Sequence, residues 1–105
     1  MELFHYTTLK RGKAIRSQKV WHFRTHQPPV PEVHPKGVYF TDLPPDTIRL
    51  ATKLRIPVRK TRYFFHFRDL GDWAPLDRKE RVFFSRKDYH VEKAQQIAHG
   101  ARPDA

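Results

Sequence analysis

β-Favouring residues gather in short stretches set apart by Pro, Gly and charged residues. Leu3-Phe4-His5-Tyr6-Thr7, Val20-Trp21-His22-Phe23 and Gly37-Val38-Tyr39-Phe40-Thr41 each predict a short strand. Tyr63-Phe64-Phe65-His66-Phe67-Arg68 is the strongest strand signal, with Tyr63, Phe65 and Phe67 on one face for core packing. Arg81-Val82-Phe83-Phe84-Ser85 predicts another strand. Helical spacing is weaker. Leu9, Gly12 and Ile15 form a thin apolar stripe in a basic helix that Thr7 or Thr8 caps and that ends near Ser17. Asp46 is placed to cap a second helix running through Ile48, Ala51 and Leu54 to Arg55 and closed by Pro57. His90–His99, with Val91, Ala94 and Ile97 on one face, predicts a third. Four prolines between Thr25 and Lys36 make that segment an extended loop. Strands and helices alternate unevenly and strands cluster late, which predicts an α+β fold rather than a parallel doubly wound sheet.

The 105 residues suit one domain, 1–105, with residues 100–105 expected as a frayed tail. Eight Phe, four Tyr and two Trp supply most of the apolar area available for a core. No apolar run approaches the length of a membrane span, so no membrane partner is expected. Met1–Lys10 lacks the features of a signal peptide, and the expected place of action is the cytoplasm. The absence of cysteine excludes disulfides, thiolate metal ligands and cysteine nucleophiles.

Charge changes the picture most. Twenty-one Lys and Arg against eleven Asp and Glu give a net charge of +10. Such a surplus draws polyanions: nucleic acid or an acidic protein partner. The basic residues are interleaved with aromatics in Arg62–Arg68 and Arg81–Arg86, a pattern shared by stacking platforms for single-stranded nucleic acid and by any small basic domain.

Chemistry is narrowed by elimination. Seven histidines invite a metal, and His22 and His26 are four apart, but Pro28 and Pro29 break any helix there and no HExxH is present. No metal site is expected. Four scattered glycines build neither GxGxxG nor GxxxxGK[ST], and Ser17 and Ser85 lie in no nucleophile elbow.

Two segments remain, LFHYTT at Leu3–Thr8 and KGVYFTDLPP at Lys36–Pro45. In their order and separation they resemble the HYD-signature ADP-ribosyltransferase toxin domains, in the diphtheria-toxin-like branch that also holds the poly(ADP-ribose) polymerases. The resemblance spans Glu2 to Val91. It implies a small split antiparallel β-fold of the ADP-ribosyltransferase type with two or three short helices. NAD would lie in the cleft as substrate, with no metal. His5 would hold a ribose hydroxyl, Thr7 would lie beside that ribose, and Tyr39, with Phe40 and Thr41, would line the nicotinamide site. Cleaving the nicotinamide–ribose bond passes through an oxocarbenium-like state, which also calls for a carboxylate. Glu80, at the entry of the late strand, is the first candidate; Asp88 and Asp42 are the others. The resemblance thus implies an NAD-dependent transferase, a toxin-type effector that passes ADP-ribose to a protein or nucleic acid and has an acidic immunity protein as a candidate partner. The alternative in another class is a non-catalytic basic module that binds nucleic acid or an acidic protein.

Overall fold

The computed structural model describes residues 1–26, 36–69, 71, 73–75 and 81–102. Along the chain run β1 (Glu2–Thr7), α1 (Leu9–Arg16), β2 (Trp21–Phe23), β3 (Val38–Thr41), α2 (Leu50–Leu54), β4 (Tyr63–Arg68), β5 (Ala74–Pro75), β6 (Val82–Ser85), β7 (Tyr89–Val91) and β8 (Gln96–Ala101). Two 3-10 turns, Val58–Thr61 and Lys93–Gln95, precede β4 and β8. The result is an α+β fold. A six-stranded sheet has the order β5-β6-β3-β1-β4-β8, and a two-stranded sheet pairs β2 with β7, antiparallel throughout.

Alternation in the strands gives the large sheet two apolar faces. Leu3, Val38, Phe40, Tyr63, Phe65 and Phe67 bury one face against Trp21, Phe23, Tyr89 and Val91 of the small sheet. On the other face Val82 and Phe84 pack with Leu43 and with Leu50 and Leu54 of α2. Each fully buried large side chain contributes about 1.5–3 kcal/mol of transfer free energy. Aromatic clusters on both faces therefore hold the short strands at a fixed separation.

Helix α1 starts where expected: the Thr8 hydroxyl accepts from the Arg11 N–H at 3.3 Å. The helix lies close on β4 because Gly12 has no side chain. A Cβ there would sit 2.2 Å from Tyr63 Cγ.

Three expectations are corrected. His90–His99 is not a helix but β7, a 3-10 turn and most of β8. Val91 enters the core while Ile97 stays exposed, and residues 96–101 instead give β4 an antiparallel neighbour. The tail is not frayed at Gly100 and Ala101, which pair with Phe64 and Tyr63. Arg102 is also tied down: its N–H donates to Arg62 O at 2.7 Å, its Nε to Pro45 O at 2.9 Å and its Nη1 to Thr61 O at 3.0 Å. Finally, α2 begins at Leu50 rather than at Asp46, and its N-cap Arg49 is left-handed (φ 56°) with no side-chain cap.

One local departure positions the site. β1 pairs with β4 over its whole length, from Glu2↔Arg68 to Thr7↔Tyr63. With β3 it pairs only at Phe4↔Thr41. Beyond Phe4 the backbone ladder between β1 and β3 lapses.

Candidate functional site

The gap left by that lapse is occupied by a side chain. His5 Nδ1 lies 2.9 Å from the Tyr39 carbonyl oxygen, so an imidazole takes the place of a ladder bond. A carbonyl only accepts, which puts the proton on Nδ1 and leaves Nε2 with its lone pair. The ring is braced by Phe23, stacked at 4.2 Å, and by the edge of Phe40 at 6.0 Å. Burial pushes the His5 pKa down to about 4; His26 and Arg11 push in the same direction, and the Tyr39 carbonyl opposes them. At neutral pH His5 is therefore an uncharged, oriented acceptor.

Tyr39 faces the other side of the sheet. Its ring is half-buried, stacked on Phe84 at 6.1 Å and met edge-on by His26 at 6.5 Å. Desolvation raises its pKa, so the phenol stays protonated. His26 is held by a two-bond backbone bridge with Gly37, His26 N to Gly37 O at 3.0 Å and Gly37 N to His26 O at 3.1 Å. Gly37 must be small: a Cβ would come 2.6 Å from Ser85 O. The His26 pKa is lowered by desolvation and then by Lys60 and Arg11.

The structure thus brings His5, Tyr39 and His26 to one gap between strands, with Arg11 and Lys60 acting on it electrostatically. The His5 and Tyr39 rings lie on opposite faces of the sheet there. The sequence pattern does not mark His26, Arg11 and Lys60 as members of this group; they arrive from the end of the β2 segment, from α1 and from the turn before β4.

The other residues of interest are placed as follows. Phe40 is buried beneath His5 and supports its ring. Thr7 is buried at the end of β1. The buried Thr41 hydroxyl donates to Arg81 O at 2.6 Å and accepts from Leu43 N at 3.1 Å, fixing the turn after β3. Asp42 is held by Arg81 Nε at 2.7 Å. Asp88 lies against the small sheet, where Oδ1 accepts from Thr25 N and Oδ2 meets His22 Nε2, both at 2.9 Å. The Thr25 N–H and then His22 hold its pKa down at about 2. Glu80 lies outside the described residues.

Among the described residues no group of three or more His, Asp or Glu side chains is placed to hold a metal ion. No helix among them is long and apolar enough to cross a membrane. No protein-family model, no curated protein and no solved structure matches the chain.

Proposed function

We propose that this chain is an NAD-dependent ADP-ribosyltransferase of the HYD-signature type, a toxin-like effector domain. The observation that supports this most is the neutral His5 bridging the gap between β1 and β3, with Nε2 free of the Tyr39 bond. A ribose hydroxyl needs an acceptor of this kind. A protonated imidazole has no lone pair to offer, so the depressed pKa is what suits His5 to the task. Tyr39 offers a half-buried aromatic face for the nicotinamide ring, and Arg11 and Lys60 supply positive charge for the diphosphate. The division of the strands into two antiparallel sheets is compatible with a split β-fold.

In this reading His5 fixes the ribose and Tyr39, whose ring lies on the opposite face of the sheet, meets the leaving ring at the open end of the gap, so that rotational freedom is lost on binding rather than in the barrier. A carboxylate stabilises the cation that develops at the ribose. Glu80 is proposed for that role, since Asp42 and Asp88 are each engaged by neighbours. The test is nicotinamide release from NAD by the purified chain. Release that survives in wild type and fails in His5→Ala and Tyr39→Ala supports the reading. No release, with no thermal stabilisation by NAD of a folded protein, rejects it.

A further inference from the structure

Charge is distributed unevenly along the strand direction. The registers define one end of the large sheet where β1 and β6 finish and β3 and β4 begin. The His5–His26–Tyr39 gap opens toward this end, beside the His26↔Gly37 bridge. Arg11, Lys36, Lys60, Arg86 and Lys87 all belong to the segments that enter or leave the strands there. The one carboxylate that follows β6 directly, Asp88, is already engaged by Thr25 and His22. At the opposite end Glu2, Asp42 and Asp69 are each bonded to a partner: His66, Arg81 and the N-terminal ammonium.

NAD brings two phosphates, and Arg11 and Lys60 suffice to face them. Lys36, Arg86 and Lys87 are left over at the same mouth. Building on the NAD reading above, we propose that this basic sheet end binds single-stranded nucleic acid, and that the strand is the acceptor. Protein interfaces deplete lysine and charge at their centres and rely on apolar anchors, whereas nucleic-acid interfaces are strongly positive. Among the described residues, the exposed Leu9 and Val58 stand in the segments that carry Arg11 and Lys60, but none of the large exposed apolar residues stands in the segments that carry Lys36, Arg86 and Lys87, where charge alone faces solvent. Single strands fit because an acceptor group must reach the ribose held beside His5, and atoms inside a duplex cannot do so without leaving the stack. In the transfer the ribose C1′–nitrogen bond of NAD breaks and its electron pair stays on the nicotinamide ring, discharging the pyridinium. A nucleotide oxygen or nitrogen forms the new bond to C1′ and gives its proton to solvent.

The test pairs two charge reversals of equal size. Lys36→Glu/Lys87→Glu alters the proposed surface; Arg68→Glu/Lys93→Glu makes the same change in net charge at the other sheet end. Binding of fluorescent single-stranded RNA and DNA oligonucleotides is measured from about 50 to 200 mM salt, without NAD. The wild-type chain should lose affinity with a log–log slope of roughly −0.7 per phosphate contacted. The first variant should flatten that slope by about 1.4 units, two contacts' worth, while the second leaves it nearly unchanged. With NAD labelled in its adenylate half, label should appear on single strands and not on duplex. Equal effects of the two variants, salt-independent binding, or displacement by polyglutamate as readily as by oligonucleotide overturns the surface. Nicotinamide release with an unlabelled oligonucleotide overturns the acceptor and leaves the NAD reading standing. Salt-dependent, variant-sensitive binding without any nicotinamide release upholds the surface and rejects the NAD reading instead.

Discussion

His5 is joined to Tyr39 through the backbone carbonyl and not through the phenol, at 2.9 Å, while the two rings point to opposite faces of the sheet. One residue can therefore be changed at its side chain without removing the other's anchor. The pair also ties the ionisation of His5 to the integrity of the gap between β1 and β3.

That ionisation predicts a stability profile. The folded His5 pKa of about 4 lies below the ordinary 6.5, so between those values the unfolded chain binds more protons than the folded one. Stability then rises with pH: the contribution is complete above about 6.5 and is lost as pH falls toward 4. The loss is about 3 kcal/mol at most for a shift of this size. His26 titrates in the same direction. Asp88 acts lower, with its stabilisation present above 3.8 and lost as pH falls toward 2. His5→Asn keeps a donor near the Tyr39 carbonyl and cannot titrate. Urea unfolding from pH 7 to 4.5 should show a flatter profile for His5→Asn than for wild type. An unchanged profile would falsify the placement of His5.

Ligand binding separates the roles at the gap. Millimolar NAD should raise the melting temperature of wild type, since a ligand at a hundredfold excess over its dissociation constant stabilises by about 2.7 kcal/mol. Tyr39→Phe should keep most of the effect because the stacking face survives. Tyr39→Ala and His5→Ala should each lose a large part of it; a hydrogen bond of the ordinary kind is worth about 0.5–1.5 kcal/mol. Differential scanning fluorimetry reads all four proteins side by side.

Three amide substitutions find the acid. Glu80→Gln should reduce the rate of nicotinamide release by tenfold or more with little change in KM, about 1.4 kcal/mol per decade, because a carboxylate in the role proposed for Glu80 acts on the transition state. Asp42→Asn and Asp88→Asn should leave the rate within a few-fold, as each carboxylate is engaged by a distant segment, Asp42 by Arg81 and Asp88 by Thr25 and His22. A dead Asp88→Asn beside an active Glu80→Gln transfers the role to Asp88.

Gly12→Ala tests the approach of α1 to β4. Alanine favours an isolated helix by about 1 kcal/mol, but here its Cβ collides with the Tyr63 ring at 2.2 Å. Tyr63 cannot step aside, being buried and bonded to His99 Nδ1 at 2.6 Å. Overpacking of this kind costs about 1–3 kcal/mol, so chemical denaturation should show net destabilisation.

Arg55→Gly has the opposite sign. Arg55 closes α2 in the left-handed conformation at φ 56°, with Ile56 N donating to Ala51 O. Glycine adopts that conformation without a Cβ penalty, and the gain should be about 0.5–1 kcal/mol in the same assay.

Much of this architecture can be read from local pattern. Tyr63–Arg68 is a strand with the predicted face buried, since its alternating aromatics leave no other way to hide them. His90–His99 shows where pattern fails. Its spacing of Val91, Ala94 and Ile97 suits a helix, yet pairing with β4 outweighs so thin an apolar stripe. His5 and Tyr39 stand out in sequence because each lies inside a distinctive strand. His26, Arg11 and Lys60 do not, because only the fold brings a loop histidine, a helix arginine and a turn lysine to one opening. The lapse in the β1–β3 ladder is equally invisible, as it is a relation between two strands and belongs to neither alone.

The central position of β1 has a consequence for how the chain assembles. Its partners are Thr41, opposite Phe4, and Phe67, opposite Leu3, so both neighbours lie far along the sequence. During synthesis, residues 2–7 leave the ribosome tunnel long before either partner strand does. Until β4 emerges, β1 lacks the strand that pairs with it over its whole length, and the whole sheet waits on a late segment. Strand order of this kind makes folding slow relative to local hairpins and leaves an apolar N-terminal segment within reach of chaperones in the interval.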